Sequence, residues 1–415
     1  MLTGSVKHCW RAADDGQLQR ENGMYVLLIY FLLAAAVAYD LIMERPQRGI
    51  RQWVIYGLVV LFFAVRFSLG MDTGAYSWLF YSVTNPFADA AVSHMMRNFG
   101  YTLLNFAVKC IAGEFRWFVL FSNVLILGLC TAVIAKKSVS PLFSLTLLIG
   151  GGMLEVYFGS GMRQGIAMAL VLFAYYQFLP QKKIIWYELF CLLAFGFQEI
   201  AVIAMPVPLL FLLIRRFKAH PYLFTLGGTV IAWLICALVY EFAVNLEWFV
   251  VSRVGFEPVW THIIAYLYER QFSIAGIGME TVFLIGTLLL YRLSGSETKE
   301  DFRQFETLTM VFSVLIYYCA ACYPLMSRGS DLLQIISLIF LPAILLEIPA
   351  KSHRLLAFSA IVVLNAFLLY VDLSEKCRVL SAKENRTFEI ARFPYITVFE
   401  KDRIEAIYDP ADLPD

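Results

Sequence analysis

The chain has 415 residues, 60% of them hydrophobic and only 16% charged, with mean hydropathy +0.70 and a formal net charge of +1. No soluble domain of this size needs so much apolar surface. The composition therefore predicts an all-α, polytopic integral membrane protein and excludes a nucleic-acid binder, for which no basic patch of useful density exists.

Residues 1–23 form a polar extension of mixed charge without the layout of a cleaved signal peptide. The apolar run begins at Met24, which makes that residue an alternative start. From there to residue 371 the chain reads as one membrane domain. Met24 to Ile42 is a first span, and Arg45, Arg48 and Arg51 then mark a cytoplasmic loop by the positive-inside rule. Trp53 to Leu69 returns outward with Arg66 near its outer end. An outer loop over 71–114 follows. Within it, Tyr101 to Ile111 carries apolar residues at helical spacing and reads as an amphipathic helix lying at the outer interface.

Phe115 to Ala135 crosses inward to Lys136 and Lys137. Pro141 to Phe158 goes out, Arg163 follows, and Ile166 to Leu179 comes back to Lys182 and Lys183. Ile184 to Ile214 is too long for one span and short for two. A pair of short or broken helices with Gln198 and Glu199 at the outer turn fits it. Tyr222 to Phe242 leads out to a second outer loop over 244–272, which holds Glu257 and His262 as further, weaker candidates. Ile274 to Leu293 comes in, Phe305 to Tyr323 goes out, Leu332 to Ile348 returns, and Leu355 to Val371 goes out to a polar tail over 372–415. The count is about twelve crossings, with the basic short loops on one side. No repeat of fixed period is present.

The polar residues at span ends collect on the outer face under this threading: Arg66, Asp72, Tyr76, Arg163, Gln164, Gln198, Glu199, Arg328 and Asp331. Arg163 lies between two membrane-length apolar runs, where an ionisable residue is a functional candidate by default. Its planar fork of donors suits a phosphate, and Gln164 adds amide donors. Arginines set against a few carboxylates suit a doubly charged anion plus an acid–base group. Asp72 and Tyr76 share a face if the chain is helical from Thr73. Each residue also has a plain reading: the arginines as headgroup anchors, Tyr76 as part of an aromatic belt. No GxSxG, P-loop or HExxH motif occurs. Cys319 and Cys322 form a CxxC inside an apolar run with no second pair, so no metal or other cofactor is expected. The Gly150-Gly151-Gly152 run reads as close helix packing.

Three stretches, in order, carry a family likeness. Arg66 to Tyr76 holds an arginine, then glycine–x–aspartate, then tyrosine; Gly100-Tyr101-Thr102-Leu103-Leu104-Asn105 follows; and Gly161 to Leu170 opens a span on Arg163-Gln164. With the late Arg328, Leu332-Leu333 and Pro342, these pieces resemble the EpsG family of the wider Wzy-type polysaccharide polymerases, over roughly residues 24–370. The chain departs from the family where a histidine is usual: it has Gln198, which cannot act as a base, so that role moves to Glu199. It also has Arg97-Asn98 before the glycine–aromatic pair, where an acidic residue is usual.

The resemblance implies a metal-independent, GT-C-like membrane glycosyltransferase at the outer face of the bacterial cytoplasmic membrane. It would transfer undecaprenyl-diphosphate-linked glycan chains onto the next lipid-linked repeat unit. Arg66, Arg163 and Arg328 would hold the diphosphate, with Tyr76, Gln164 and Gln198 completing the binding site. Glu199, Asp72 and Arg163 would carry the chemistry. Implied partners are the lipid-linked oligosaccharide, the bilayer, and a chain-length regulator and flippase of the same pathway. A sugar-chain ligase using the same carrier stays open, as does a transporter of lipid-linked saccharide. A transporter should show polar breaks on both sides and an internal repeat, so polar groups on one side favour the enzyme.

Overall fold

The computed structural model describes residues 25–67, 72–86, 98–151, 154, 161–210, 212, 221–234, 238, 274–295, 301–319, 325–384, 396–402 and 404. The second outer loop, with Glu257 and His262, lies outside them. Among the described residues the chain is helical and holds no strand. The helices are α1 (Tyr25–Ile42), α2 (Ile50–Ala64), α3 (Thr73–Ser82), α4 (Phe99–Ala112), α5 (Phe115–Lys137), α6 (Pro141–Gly150), α7 (Met162–Phe178) and α8 (Ile184–Phe197). They continue as α9 (Pro221–Leu234), α10 (Ile274–Leu293), α11 (Asp301–Cys319), α12 (Leu325–Gln334), α13 (Ser337–Glu347) and α14 (Lys351–Glu384). Short 3-10 segments occupy Leu179–Gln181 and Glu199–Ala204.

The helices are patterned inside out. On α2, Gln52 and Tyr56 are buried while Ile50, Val54, Leu58 and Leu61 face outward. On α8, Tyr187 is buried while Ile185, Trp186, Leu189 and Leu192 are exposed. Such surfaces would aggregate in water, but in lipid, apolar side chains on the outside are at no disadvantage. Buried polar groups then pair with one another. The Tyr187 hydroxyl donates to the Ala204 carbonyl at 2.8 Å, and the Tyr56 hydroxyl to that of Thr131 at 3.0 Å.

Four helices are long and apolar enough to cross a bilayer, namely α1, α5, α10 and α14. The bent pair α12–α13, which turns by 50°, would make five. About twelve crossings are therefore not borne out among the described residues. The helix described in the run from Pro141 is Pro141–Gly150 and that in the run from Ile184 is Ile184–Phe197, each shorter than the ~20 residues a span needs.

The chain divides into two compact units. Unit 1 comprises Met1–Ala169, Gly196–Gln198 and Ser352–Asp415; unit 2 comprises Leu170–Phe195 and Glu199–Lys351. In unit 1, α1 packs on α6, all of whose residues are buried. A Cβ at Gly150 would lie 2.3 Å from the Tyr30 ring and 3.0 Å from Asn365, so the glycine lets α6 approach both, as its place in a glycine run suggested. The Tyr30 hydroxyl donates to the Val362 carbonyl of α14 at 2.7 Å. In unit 2, α11 is central, packed between α10 and α12.

Two further regions gain detail. The helix expected over Tyr101 to Ile111 is present as α4 (Phe99–Ala112). It buries Tyr101, Thr102 and Asn105 and turns Leu103 and Ile111 outward, Ile111 to 87% exposure. Its polar stripe is the stripe that packs on α3 and α5. The polar tail is also structured. α14 continues thirteen residues past Val371 to Glu384, and Ile396 to Ile404 folds back onto the end of α2.

A candidate arginine–tyrosine site

Two tyrosines of unit 1, Tyr76 and Tyr101, meet Arg163 at the beginning of α7. Asp72 sits at the N-cap of α3, and the Tyr76 amide donates to its carbonyl at 3.0 Å, so the two are one turn apart as expected. Their side chains part company: Tyr76 is buried and Asp72 is exposed, with no capping hydrogen bond from its carboxylate. The Tyr76 ring meets the Tyr101 ring of α4 at 5.6 Å, and Tyr101 meets Phe118 of α5 edge-on at 5.4 Å.

Arg163 lies against this pair. Its guanidinium carbon is 5.8 Å from the centre of the Tyr76 ring and 5.9 Å from that of Tyr101. Ring faces are electron-rich and hold a cation without neutralising it. Arg163 occupies the first turn of α7, where no acidic residue accompanies it. That is the unfavourable end of the helix for a cation, because the dipole is positive there too. The arrangement concentrates positive potential, and the Arg163 Nε is buried with no hydrogen-bond partner. Gln164 is buried beside it in sequence. Gly196, at the end of α8, lies against Gly100: a Cβ on Gly100 would come within 2.9 Å of the Gly196 carbonyl oxygen. This close approach brings the α8 end that precedes the buried Gln198 to the start of α4, one residue before Tyr101.

Arg66 is no headgroup anchor. It is 1% exposed, with its guanidinium 5.3 Å from the Tyr25 ring centre and 6.0 Å from that of Phe63. The backbone around it is held from both sides. Asn123 donates to the Arg66 carbonyl at 2.7 Å, and Arg66 and Thr397 form an antiparallel bridge. The Phe67 amide donates to Ile396 at 2.7 Å and the Val398 amide to Val65 at 3.0 Å. Phe399 packs edge-on to Trp117, and Lys401 pairs with Glu114 at 3.3 Å. Burial pushes the Glu114 carboxyl up, yet hydrogen bonds from Arg116 and Lys401 outweigh it and hold the group below its ordinary range. Residues 396–404 are thus a strap across the arginine-bearing turn.

The remaining candidates belong to unit 2. Glu199 is exposed at the start of its 3-10 segment and Arg328 is exposed on α12. Their elements pack together, with Gly329 against Ile200 and Ile203. Asp331 interacts with Glu280 of α10, whose carboxylate accepts from Gln334 at 2.7 Å; Gln334 also donates to Ser330 at 3.0 Å.

Three groups escaped the sequence reading. Glu280 is a lone carboxylate in the run Ile274 to Leu293, and the rule that singled out Arg163 would have found it. Glu306 of α11 is a second such carboxylate, 2% exposed. Tyr101 lay in the Gly100 to Asn105 stretch that carries the family likeness but was given no role, and only tertiary contact sets it against Arg163.

The model of the EpsG family, a family of Wzy-like polysaccharide polymerases, matches residues 52–382. That range holds every candidate site residue and stops short of the strap. No curated protein and no solved structure matches the chain.

Proposed function

The chain belongs to the EpsG family, and from that premise we propose that it lengthens a polysaccharide by transferring a glycan chain from undecaprenyl diphosphate onto the next lipid-linked repeat unit. The observation that carries this reading is Arg163: a cation at a helix N-terminus, stacked on two tyrosines, with a buried donor left unbonded. Such a group calls for an anion with more than one acceptor oxygen, and a diphosphate at a membrane surface is one.

In the reaction, the acceptor hydroxyl oxygen attacks the anomeric carbon of the carrier-linked chain. The bond from that carbon to the phosphate oxygen breaks, and the diphosphate leaves with the electron pair. A carboxylate takes the acceptor's proton. Negative charge develops on the departing oxygen, so a fixed arginine there stabilises the transition state more than the ground state. Asp72, one turn before Tyr76 on α3, and Glu199 are the two carboxylates proposed for the base. The inverted patterning supports a lipid-side approach for the carrier's tail, and the reaction is assigned to the outer face of the cytoplasmic membrane.

Deletion of the gene tests the reading. Cells without the chain should keep single repeat units on their carrier and lose long polymer on a gel, with the wild-type chain restoring it. Absence of carrier-linked units as well would move the chain to an earlier step.

A further inference from the structure

Beside Arg163 lies a set of buried polar atoms that a diphosphate alone does not satisfy. Tyr101 is fully buried, and its hydroxyl has no hydrogen-bond partner. Asn105, one turn along α4, is fully buried; its amide N–H donates to the Tyr101 carbonyl at 2.8 Å, while its Oδ1 accepts from nothing. No hydrogen bond of ordinary length and angle reaches the Tyr101 hydroxyl, though the Asn105 side chain is its nearest hydrogen-bonding neighbour, and Tyr76 and Arg163 act on it through their charge and dipole. Ser122 lies one turn beyond Phe118, the residue whose ring meets Tyr101, and its hydroxyl is likewise buried and unpartnered. Leaving buried donors and acceptors unmade is unfavourable, so such a cluster calls for an occupant.

The occupant must do two things. It must accept from the Tyr101 hydroxyl and donate to Asn105 Oδ1, while Arg163 Nε is left to the phosphate. A phosphate oxygen only accepts, and a lipid tail does neither. A sugar hydroxyl does both. We propose that the Tyr101 hydroxyl and the Asn105 amide oxygen, next to Arg163, form a subsite for hydroxyl groups of the sugar joined to the diphosphate. This rests on the polymerase reading and adds to it: Arg163 addresses the phosphate, and α4 addresses the sugar.

The test uses the full chain in lipid nanodiscs and two probes. One is undecaprenyl diphosphate; the other is the same carrier bearing its repeat unit, extracted from cells that lack the chain. Tyr101→Phe keeps both ring contacts and removes only the hydroxyl. It should weaken binding of the glycan-bearing carrier by about tenfold and leave that of bare undecaprenyl diphosphate unchanged. Arg163→Lys should weaken both. Equal loss on both probes with Tyr101→Phe would mean that the hydroxyl meets phosphate and would overturn the subsite. Unchanged binding of both would mean that water alone fills it, which overturns the subsite equally. Unchanged binding of both probes to Arg163→Lys would sink the polymerase reading of that arginine, a result the Tyr101 comparison does not depend on. Asn105→Leu is read in the same way if Tyr101→Phe does not accumulate. If neither variant accumulates, these groups serve packing and the subsite is wrong.

Discussion

Arg163 and Arg303 each sit in the first turn of a helix in a largely apolar chain, and each is partly buried. Their surroundings are opposite. Arg303 is enclosed by carboxylates: Nη1 bonds Glu306, and Nη2 and Nε bond Glu347 at 2.9 and 3.3 Å. Tyr176 completes the network by donating to Glu306 at 2.7 Å. Arg163 has tyrosine faces in place of carboxylates, and one of its donors is unmade. An arginine whose charge is matched within the protein is structural. One whose charge is tolerated but unmatched is arranged for something that arrives. What separates them is the partner, and a charge count does not reveal it.

The largest expected effect tests the structural half of this contrast. Arg303→Ala leaves Glu306 as a buried, uncompensated charge, which costs about 3–5 kcal/mol. The protein should fail to accumulate in the membrane, as read by immunoblot. Wild-type levels and thermal stability would show that the network is dispensable. The next asks whether the chemistry stays beside Arg163. A general base contributes roughly a hundred- to ten-thousand-fold, so Asp72→Asn and Glu199→Gln are compared for polymer made by membranes. The larger loss identifies the base; normal polymer from both variants would remove both carboxylates from the mechanism.

Arg163→Lys then tests the functional half. Lysine retains the charge but not the planar fork. By analogy with loss of one oxyanion-hole donor, the rate should fall by about a hundred- to a thousand-fold, equivalent to roughly 2.7–4 kcal/mol, with protein level unchanged. Polymer as abundant as wild type would make Arg163 an anchor. The smallest effect concerns the strap over Arg66. Val398→Pro removes the donor to Val65 and should destabilise the strap by about 1 kcal/mol, raising protease cleavage after Glu384 without loss of α14. Acid should act in the same direction. The Glu114 carboxyl is held below its ordinary value of 4.5, so its contribution is present above that value and lost as pH falls through the folded one. Equal cleavage of wild type at pH 7 and pH 4 would show that Lys401 does not hold the strap.

Much of the architecture was legible because hydropathy is a local property. The apolar runs, the break at Gln198 and Glu199, the close packing at Gly150 and the helical turn linking Asp72 to Tyr76 all follow from residues near one another in the chain. The number of spans was not legible, since apolar runs look alike whether the backbone continues through them or breaks, as it does at Gln198. Amphipathic spacing showed that α4 has two faces; that Tyr101, Thr102 and Asn105 are the buried ones is set by tertiary packing.

Composition and spacing by themselves determined that this is an apolar, helical, membrane-type chain with Arg163 opening a helix between apolar runs, and the match of its residues 52–382 to the EpsG family model gave the family. Those features need only the residues and their order. Tertiary structure alone decided that Arg163 rests on Tyr76 and Tyr101, that Arg303 is neutralised by Glu306 and Glu347, and that residues 396–404 return to clamp Arg66. Apart from the Arg303–Glu306 pair, which lies within one helical turn, each of these contacts pairs groups far apart in the chain. The energy of a buried charge depends on which partners reach it through a low-dielectric interior, and that is a property of the packing.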